Sequence, residues 1–444
     1  MCKNLDYDTL NRYIKQQEWK NLAENLKNGL ALELSSTGEP KKFHLQVVDF
    51  LQILLNMCLE DKNMIENVLV EVLRGLRNCV TDSNIQESLL TEDFIIKLRR
   101  VYLEVKDDQN YKLCTKIMMQ LLINLSVKNP NGAKLIYNEF SDISECLEKE
   151  CNVYEVSALL HYMSLHVPLK NLDANLVNKI VDLYHKVEKC EFLHFLLETI
   201  CQYGYFWSFY NALEYDCKLT ILGIIKEKQT KENKIFFVKE GLDVMMKIFI
   251  DSSQTVFTSG DNKKALEISL VLQILSQVTG NSQNFLEILQ SNSDLLIQAA
   301  ILLINIHRLG KSSDNCFTQV PKHSEVSEDF KENPAYGFKG DLVRFIGNLN
   351  WTCKKMQDLT REAELIPVIL ECCNIDEKNP FIMQWAIFAI RNICKNNLEN
   401  QKFIAAMKKQ GTVDGNTLNK VGLTLNNDGD KSIGIVNLDD IRNN

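Results

Sequence analysis

The sequence predicts an all-α fold, an α-solenoid of stacked helical repeats, and three observations carry that expectation. Glycine (18) and proline (7) are scarce for 444 residues, where average usage would give roughly 31 and 22. A sheet-rich chain needs turn residues about every ten positions, and this one cannot supply them. Apolar residues recur at helical spacing through most of residues 1–307, and matching positions return at intervals of forty-odd residues.

Taken from the start, Met1-Cys2-Lys3-Asn4 is polar and leads directly into an amphipathic pattern, which reads as a chain without a secretory signal. No run of about 18 uninterrupted apolar residues suggests a membrane span. The 14 cysteines are scattered through apolar helical patterns, Cys372-Cys373 being the one adjacent pair. They read as buried thiols in a reducing compartment, so the expected home is the cytoplasm. A net charge of −8 argues against general nucleic-acid binding.

The helical pattern is explicit in Phe43, Val47, Val48, Phe50, Leu51, Leu54, Leu55 and Cys58, and again from Met64 through Val68, Leu69, Val72 and Leu73 to Leu76. Thr81-Asp82-Ser83-Asn84 and Asn129-Pro130-Asn131-Gly132 are polar breaks between such segments. Asparagines near predicted helix ends fall at Asn78, Asn124, Asn305, Asn348 and Asn392. Three of the intervals are 46, 43 and 44 residues (78 to 124, 305 to 348, 348 to 392), and the long one, 124 to 305, approximates four periods. That spacing is in the range of HEAT and armadillo repeats. Flanking columns agree. Five positions earlier stand Leu73, Met119, Ala300, Val343 and Ile387; eleven later stand Leu89, Leu135, Cys316, Leu359 and Phe403. The four central periods, roughly 150–280, show no boundaries.

Residues 308–332 are polar and aperiodic, with Gly310-Lys311-Ser312-Ser313 and Pro321-Lys322-His323-Ser324, and read as a flexible linker or long loop. Ser312, Ser313, Ser324 and Ser327 make it a phosphorylation candidate. Residues 333–410 are expected to form a C-terminal domain of two repeats. Residues 411–444 are expected to lack stable structure, apart from a short strand near Ile433–Leu438.

The most specific stretch runs from Asn333 to Ile404. It includes Asn333-Pro334-Ala335-Tyr336-Gly337-Phe338-Lys339, Leu342-Val343-Arg344-Phe345-Ile346-Gly347-Asn348-Leu349, Ile366-Pro367-Val368-Ile369-Leu370, and Trp385-Ala386-Ile387-Phe388-Ala389-Ile390-Arg391-Asn392-Ile393. Over some 70 residues it resembles the C-terminal domain of the ataxin-10 family, polar positions included. Outside it the likeness is one of length and architecture. Ala389–Ile393 also resembles the third-helix core of an armadillo repeat, and Ile366–Leu370 the start of its second helix. In such proteins third helices line a groove where Asn bonds an extended peptide. By that resemblance Asn348 and Asn392 face a groove with Arg344 and Arg391 beside them. The alternative is that these asparagines satisfy helix-end backbone groups. Trp385, Ile387 and Ile390 are expected to pack on the preceding repeat.

No phosphate cradle, zinc-ligand set or nucleophile motif is present. Cys190 and His194 stand one turn apart without a second pair, and Asp428, Asp430, Ser432 and Asp439 only faintly echo a calcium loop. The expectation is therefore a non-catalytic protein-binding scaffold without cofactors, with an armadillo-type cargo or transport adaptor as the alternative. The resemblance implies roles in neuronal survival, neurite outgrowth, cytokinesis and processes at the cilium base, with perinuclear, midbody or centrosomal sites. It also implies self-association and, as partners, the O-GlcNAc transferase, a G-protein β subunit and mitotic kinases.

Overall fold

Short polar sequences start the helices. Asp82 accepts the Asn84 N–H at 2.9 Å to cap Ser83–Leu89. Asn129 accepts the Gly132 N–H at 2.9 Å to cap Pro130–Phe140, whose first residue is a proline with no N–H to leave unpaired. The sequence breaks at 81–84 and 129–132 are thus helix N-termini. The computed structural model describes residues 5–35, 45–258, 262–312, 315–317, 333, 335–374 and 376–407, with the backbone of 423–427 and 433–437.

These helices stack in layers around one continuous apolar core. The innermost row comprises Leu69–Cys79 (α1), Lys112–Ser126 (α2), Val153–Ser164 (α3), Glu191–Ile200 (α4), Tyr215–Glu232 (α5), Asn262–Asn281 (α6), Phe338–Leu349 (α7) and Ile382–Cys394 (α8), each packing on the next. The remaining helices back this row and bury its apolar side. The fold is an all-α solenoid.

The row corrects the spacing read from the sequence. Its helices end 47 residues apart at the start (79 to 126) and 45 at the finish (349 to 394). In the centre the step shortens to 38, 36 and 32 residues (126 to 164, 164 to 200, 200 to 232), because single or very short helices back α4 and α5. Between α6 and α7 it lengthens to 68 (281 to 349). Asn305 lies on Ser293–Ser312, a backing helix, so its place in the asparagine column is coincidental. Cys316 likewise starts no helix and is exposed in a bend.

Two further boundaries differ from expectation. The helix Ser293–Ser312 runs into the stretch read as a linker. Further along that stretch, Phe317 is buried against Phe257 and Phe338, with ring centroids 5.7 Å away in each case. Lys378 Nζ donates to the Asn315 carbonyl at 2.5 Å and Asn379 Nδ2 to the Phe317 carbonyl at 2.6 Å, so this point is pinned to the C-terminal repeats. In the tail, Ile433–Asn437 (β2) pairs antiparallel with Leu423–Asn427 (β1), where no strand was expected. Ser313, Ser324, Ser327, Asp428, Asp430, Ser432 and Asp439 lie outside the described residues.

Candidate interaction surface

Gly337 opens α7 at φ +76°, a left-handed conformation that residues bearing a Cβ rarely adopt, and its N–H donates to the Lys378 carbonyl at 2.8 Å. The Asn379 side chain accepts the Gly340 N–H at 3.1 Å. This fixes the start of α7 against the turn that leads into α8. At Gly347 a Cβ would meet Ala389 and the Phe388 ring at 3.0–3.1 Å, so the glycine lets α7 and α8 approach closely.

The four residues singled out from the sequence divide in two. Asn392 is fully buried and its Nδ2 donates to the Gly347 carbonyl at 2.9 Å. Asn348 is buried too, donating to the Ser276 carbonyl at 3.1 Å and to Thr279 Oγ1 at 2.8 Å. Asn124 repeats the arrangement on the Arg77 carbonyl at 3.1 Å. In each case the acceptor belongs to the preceding row helix. For Asn124 and Asn392 it is the residue just before that helix's own asparagine. Gln277 takes the asparagine's place in α6, with its Nε2 2.9 Å from Thr230 Oγ1 on α5. The asparagine amides are rungs between repeats, bonded to main-chain carbonyls of the preceding row helix rather than turned to a groove.

The arginines lie on the surface. Arg344 is half-buried with its guanidinium 4.7 Å from the centre of the Trp385 ring. Burial holds its pKa below the ordinary value, opposed by the neighbouring Asp341 charge. Burial pushes the Asp341 carboxyl up to about 6, against the pull of Arg344, Lys226 and a hydrogen bond from Gln273. Arg391 is exposed and stands 5.6 Å from Trp351 and 5.8 Å from Phe388. Lys395 Nζ lies 3.5 Å from the centre of the Trp351 ring. Cations and rings therefore alternate along α7 and α8, an arrangement suited to an anionic segment with apolar anchors.

Trp351, Phe388 and Lys395 were not picked out from the sequence. The spacing of Trp385, Phe388, Arg391 and Lys395, three to four residues apart, was the available signal. Trp385 and Ile390 are half-buried, whereas Ile387 is exposed. Cys190 and His194 do not converge: Cys190 Sγ lies 3.4 Å from Ser157 Oγ, and His194 Nε2 lies 3.3 Å from Glu198. Among the described residues no group of His, Cys, Asp and Glu is arranged to hold a metal, and no helix is long and apolar enough to cross a membrane.

Residues 338–436 match the profile of the family described as the spinocerebellar ataxia type 10 protein domain. Human ataxin-10 is 28% identical over 431 residues, 89% of each chain. The chain is thus similar to ataxin-10 proteins along most of its length. Among further relatives, ataxin-10 of Xenopus tropicalis is 39% identical over 163 residues, covering 37% of this chain and 33% of that one. The ataxin-10 homolog of Dictyostelium discoideum is 40% identical over 94 residues, covering 21% and 15%. The crystal structure of SYS-1 aligns with a TM-score of 0.37 at 10% identity, over 88% of this chain and 75% of that one. At that score the solenoid assignment stands on the helix packing described above.

Proposed function

We propose that the chain is a non-catalytic scaffold that binds acidic, aromatic-bearing segments of other proteins along α7 and α8. The observation that carries this reading is the alternation Arg344, Trp385, Phe388, Arg391, Trp351 and Lys395 on a chain of net charge −8. A strip of opposite sign to the whole molecule favours an anionic partner and would steer it at low salt. The cargo-adaptor alternative draws less support. It needs free asparagine amides along a groove, and here Asn124, Asn348 and Asn392 are committed to backbone carbonyls.

The likeness to ataxin-10 proteins makes cytokinesis, neurite outgrowth, neuronal survival and cilium-base processes the settings to test. The O-GlcNAc transferase, a G-protein β subunit and mitotic kinases are the first partners to seek, in the cytoplasm and at the midbody or centrosome. Affinity recovery with mass spectrometry should compare the intact chain with Arg391→Ala/Lys395→Ala. Loss of a defined set of partners at unchanged melting temperature is the expected result, with the intact complexes weakening as salt rises from about 0.1 M to about 0.5 M. A double variant that keeps every partner would remove this surface from the proposal.

A further inference from the structure

The turn between the short helix Glu145–Glu148 and α3 sets two cysteines side by side. The Cys151 N–H donates to the Cys146 carbonyl at 2.9 Å, and the Glu150 N–H to the Leu147 carbonyl at 3.1 Å. Between them Glu150 is left-handed, with φ 53°. Two such bonds around a left-handed residue make the Schellman ending of a helix, in which the side chains at the two ends of the longer bond meet. That contact is commonly apolar, and here both positions are cysteine. The main-chain bond holds the two Cα atoms within about 6.5 Å of each other. A disulfide spans a Cα separation of about 4.4–6.8 Å.

The two thiols differ as an attacking and a resolving cysteine would. Cys151 is exposed, its Sγ donating to the Lys149 carbonyl at 3.4 Å. Cys146 is half-buried, with its Sγ 3.1 Å from the Tyr102 hydroxyl. Burial raises the Cys146 pKa above its ordinary value, against the pull of that hydroxyl. Both cysteines line a cleft of about 270 Å³ with Tyr102, Lys106 and Asn152, wide enough to admit a small oxidant. Two other neighbouring pairs, Cys58 with Cys114 and Cys201 with Cys217, are buried, and burial pushes all four thiols up. Thiolate character and access decide which cysteine reacts, so those pairs are internal controls.

We propose that Cys146 and Cys151 close a reversible disulfide when the chain meets hydrogen peroxide, which makes this turn a thiol-oxidation site. The Cys151 thiolate attacks one peroxide oxygen. An S–O bond forms, the O–O bond breaks, and the departing hydroxide takes up the proton that Cys151 released, giving water. The Cys146 sulfur then attacks the sulfenic sulfur of Cys151. The S–S bond forms, the S–O bond breaks, and the second water leaves with the Cys146 proton. Two thiols lose two electrons and one peroxide becomes two waters. The bridge ties the end of Glu145–Glu148 to the entry of α3.

Trypsin cuts after Lys134, Lys149 and Lys170, so the bridge joins peptides 135–149 and 150–170, which carry one cysteine each. The folded full chain is treated with dilute hydrogen peroxide, remaining thiols are alkylated, and the joined peptides are followed by mass spectrometry. They should accumulate about ten-fold faster or more than any product of Cys58, Cys114, Cys201 or Cys217, and vanish with dithiothreitol. Cys146→Ser should leave Cys151 as a sulfenic acid that dimedone traps, whereas Cys151→Ser should slow oxidation of Cys146 about ten-fold. Glu150→Gly suits the left-handed position and should keep the bridge. Glu150→Val does not, and should slow closure several-fold while Cys151 oxidises at its former rate. Cys151 that runs on to sulfinic acid, or pairs elsewhere, without the joined peptides would overturn the proposal. So would a bridge that forms only once Cys58 and Cys201 become open to alkylation, since it would then belong to the unfolded chain.

Discussion

Around Trp207 the array is held by rings, whereas between Asn348 and Asn400 it is held by amides. Trp207 is buried with its ring stacked 5.4 Å from Tyr210, edge-on to Phe206 and Phe237, and its Nε1 donates to the Cys201 carbonyl at 3.0 Å. In the last repeats, Gln357 donates to the Asn392 carbonyl at 2.8 Å, and Asn400 donates to the Gln357 and Ile393 carbonyls, both at 3.0 Å. Among the described residues, every buried asparagine lies between 348 and 400. Apolar packing accepts many side chains of about the right volume, but a buried amide network accepts few, since losing one member strands the others. That difference fits the recognisable set of polar residues in the C-terminal stretch, while the shorter steps of the central row helices hide the period there.

Four measurements would break or sharpen the contrast. Trp207→Ala should cost about 3–5 kcal/mol in chemical denaturation, as large buried aromatics do. A cost near 1 kcal/mol would mean that the centre is held elsewhere. The next effect concerns charge at the α6–α7 joint. Asp341 binds its proton more tightly when folded, so its contribution favours the fold at low pH, declines as pH rises from about 4, and is fully lost above about 6. The ceiling is about 3 kcal/mol, reduced by the water that reaches the carboxylate. Asp341→Asn should therefore raise the melting temperature at pH 7.5 relative to the parent and close the gap near pH 4; a gap constant across pH would reject this account.

The rungs give a smaller, paired effect. Asn392→Ala should cost about 2 kcal/mol, because it leaves a buried carbonyl unpaired, whereas Asn124→Ala, on a half-buried rung, should cost about 1 kcal/mol or less. Equal costs would show that burial does not set the strength of these joints. Smallest of all, Arg391→Ala should move stability by no more than about 0.5 kcal/mol, its side chain being exposed. Arg344→Ala should cost more, since its guanidinium is half-buried over Trp385.

The solenoid and its C-terminal family stretch were legible because scarce turn residues and helical periodicity are properties of local sequence. Asn78, Asn124, Asn348 and Asn392 marked true row helices. Asn305 did not, because a backing helix has the same apolar spacing as a row helix and only packing tells them apart. For Asn348 and Asn392 the sequence leaves a groove and helix-end backbone groups both open, because their carbonyl partners lie far off in sequence. Asn392 reaches Gly347, 45 residues back, and Asn348 reaches Ser276, 72 back. No local pattern contains that bond. Trp351 escaped for a similar reason, since its cations Arg391 and Lys395 come from the next repeat.

The rungs also give the molecule uneven elasticity. A bond from a side-chain amide to a neighbour's main chain resists sliding along the helix axis, because any shift moves donor and acceptor apart. Ring stacks resist it weakly, since offset faces glide over one another at nearly constant area. Under tension the solenoid should stretch and rewind first around α4 and α5, while α7 and α8 move as one block. A ligand gripping the last two helices would thus hold a rigid handle on a compliant spring.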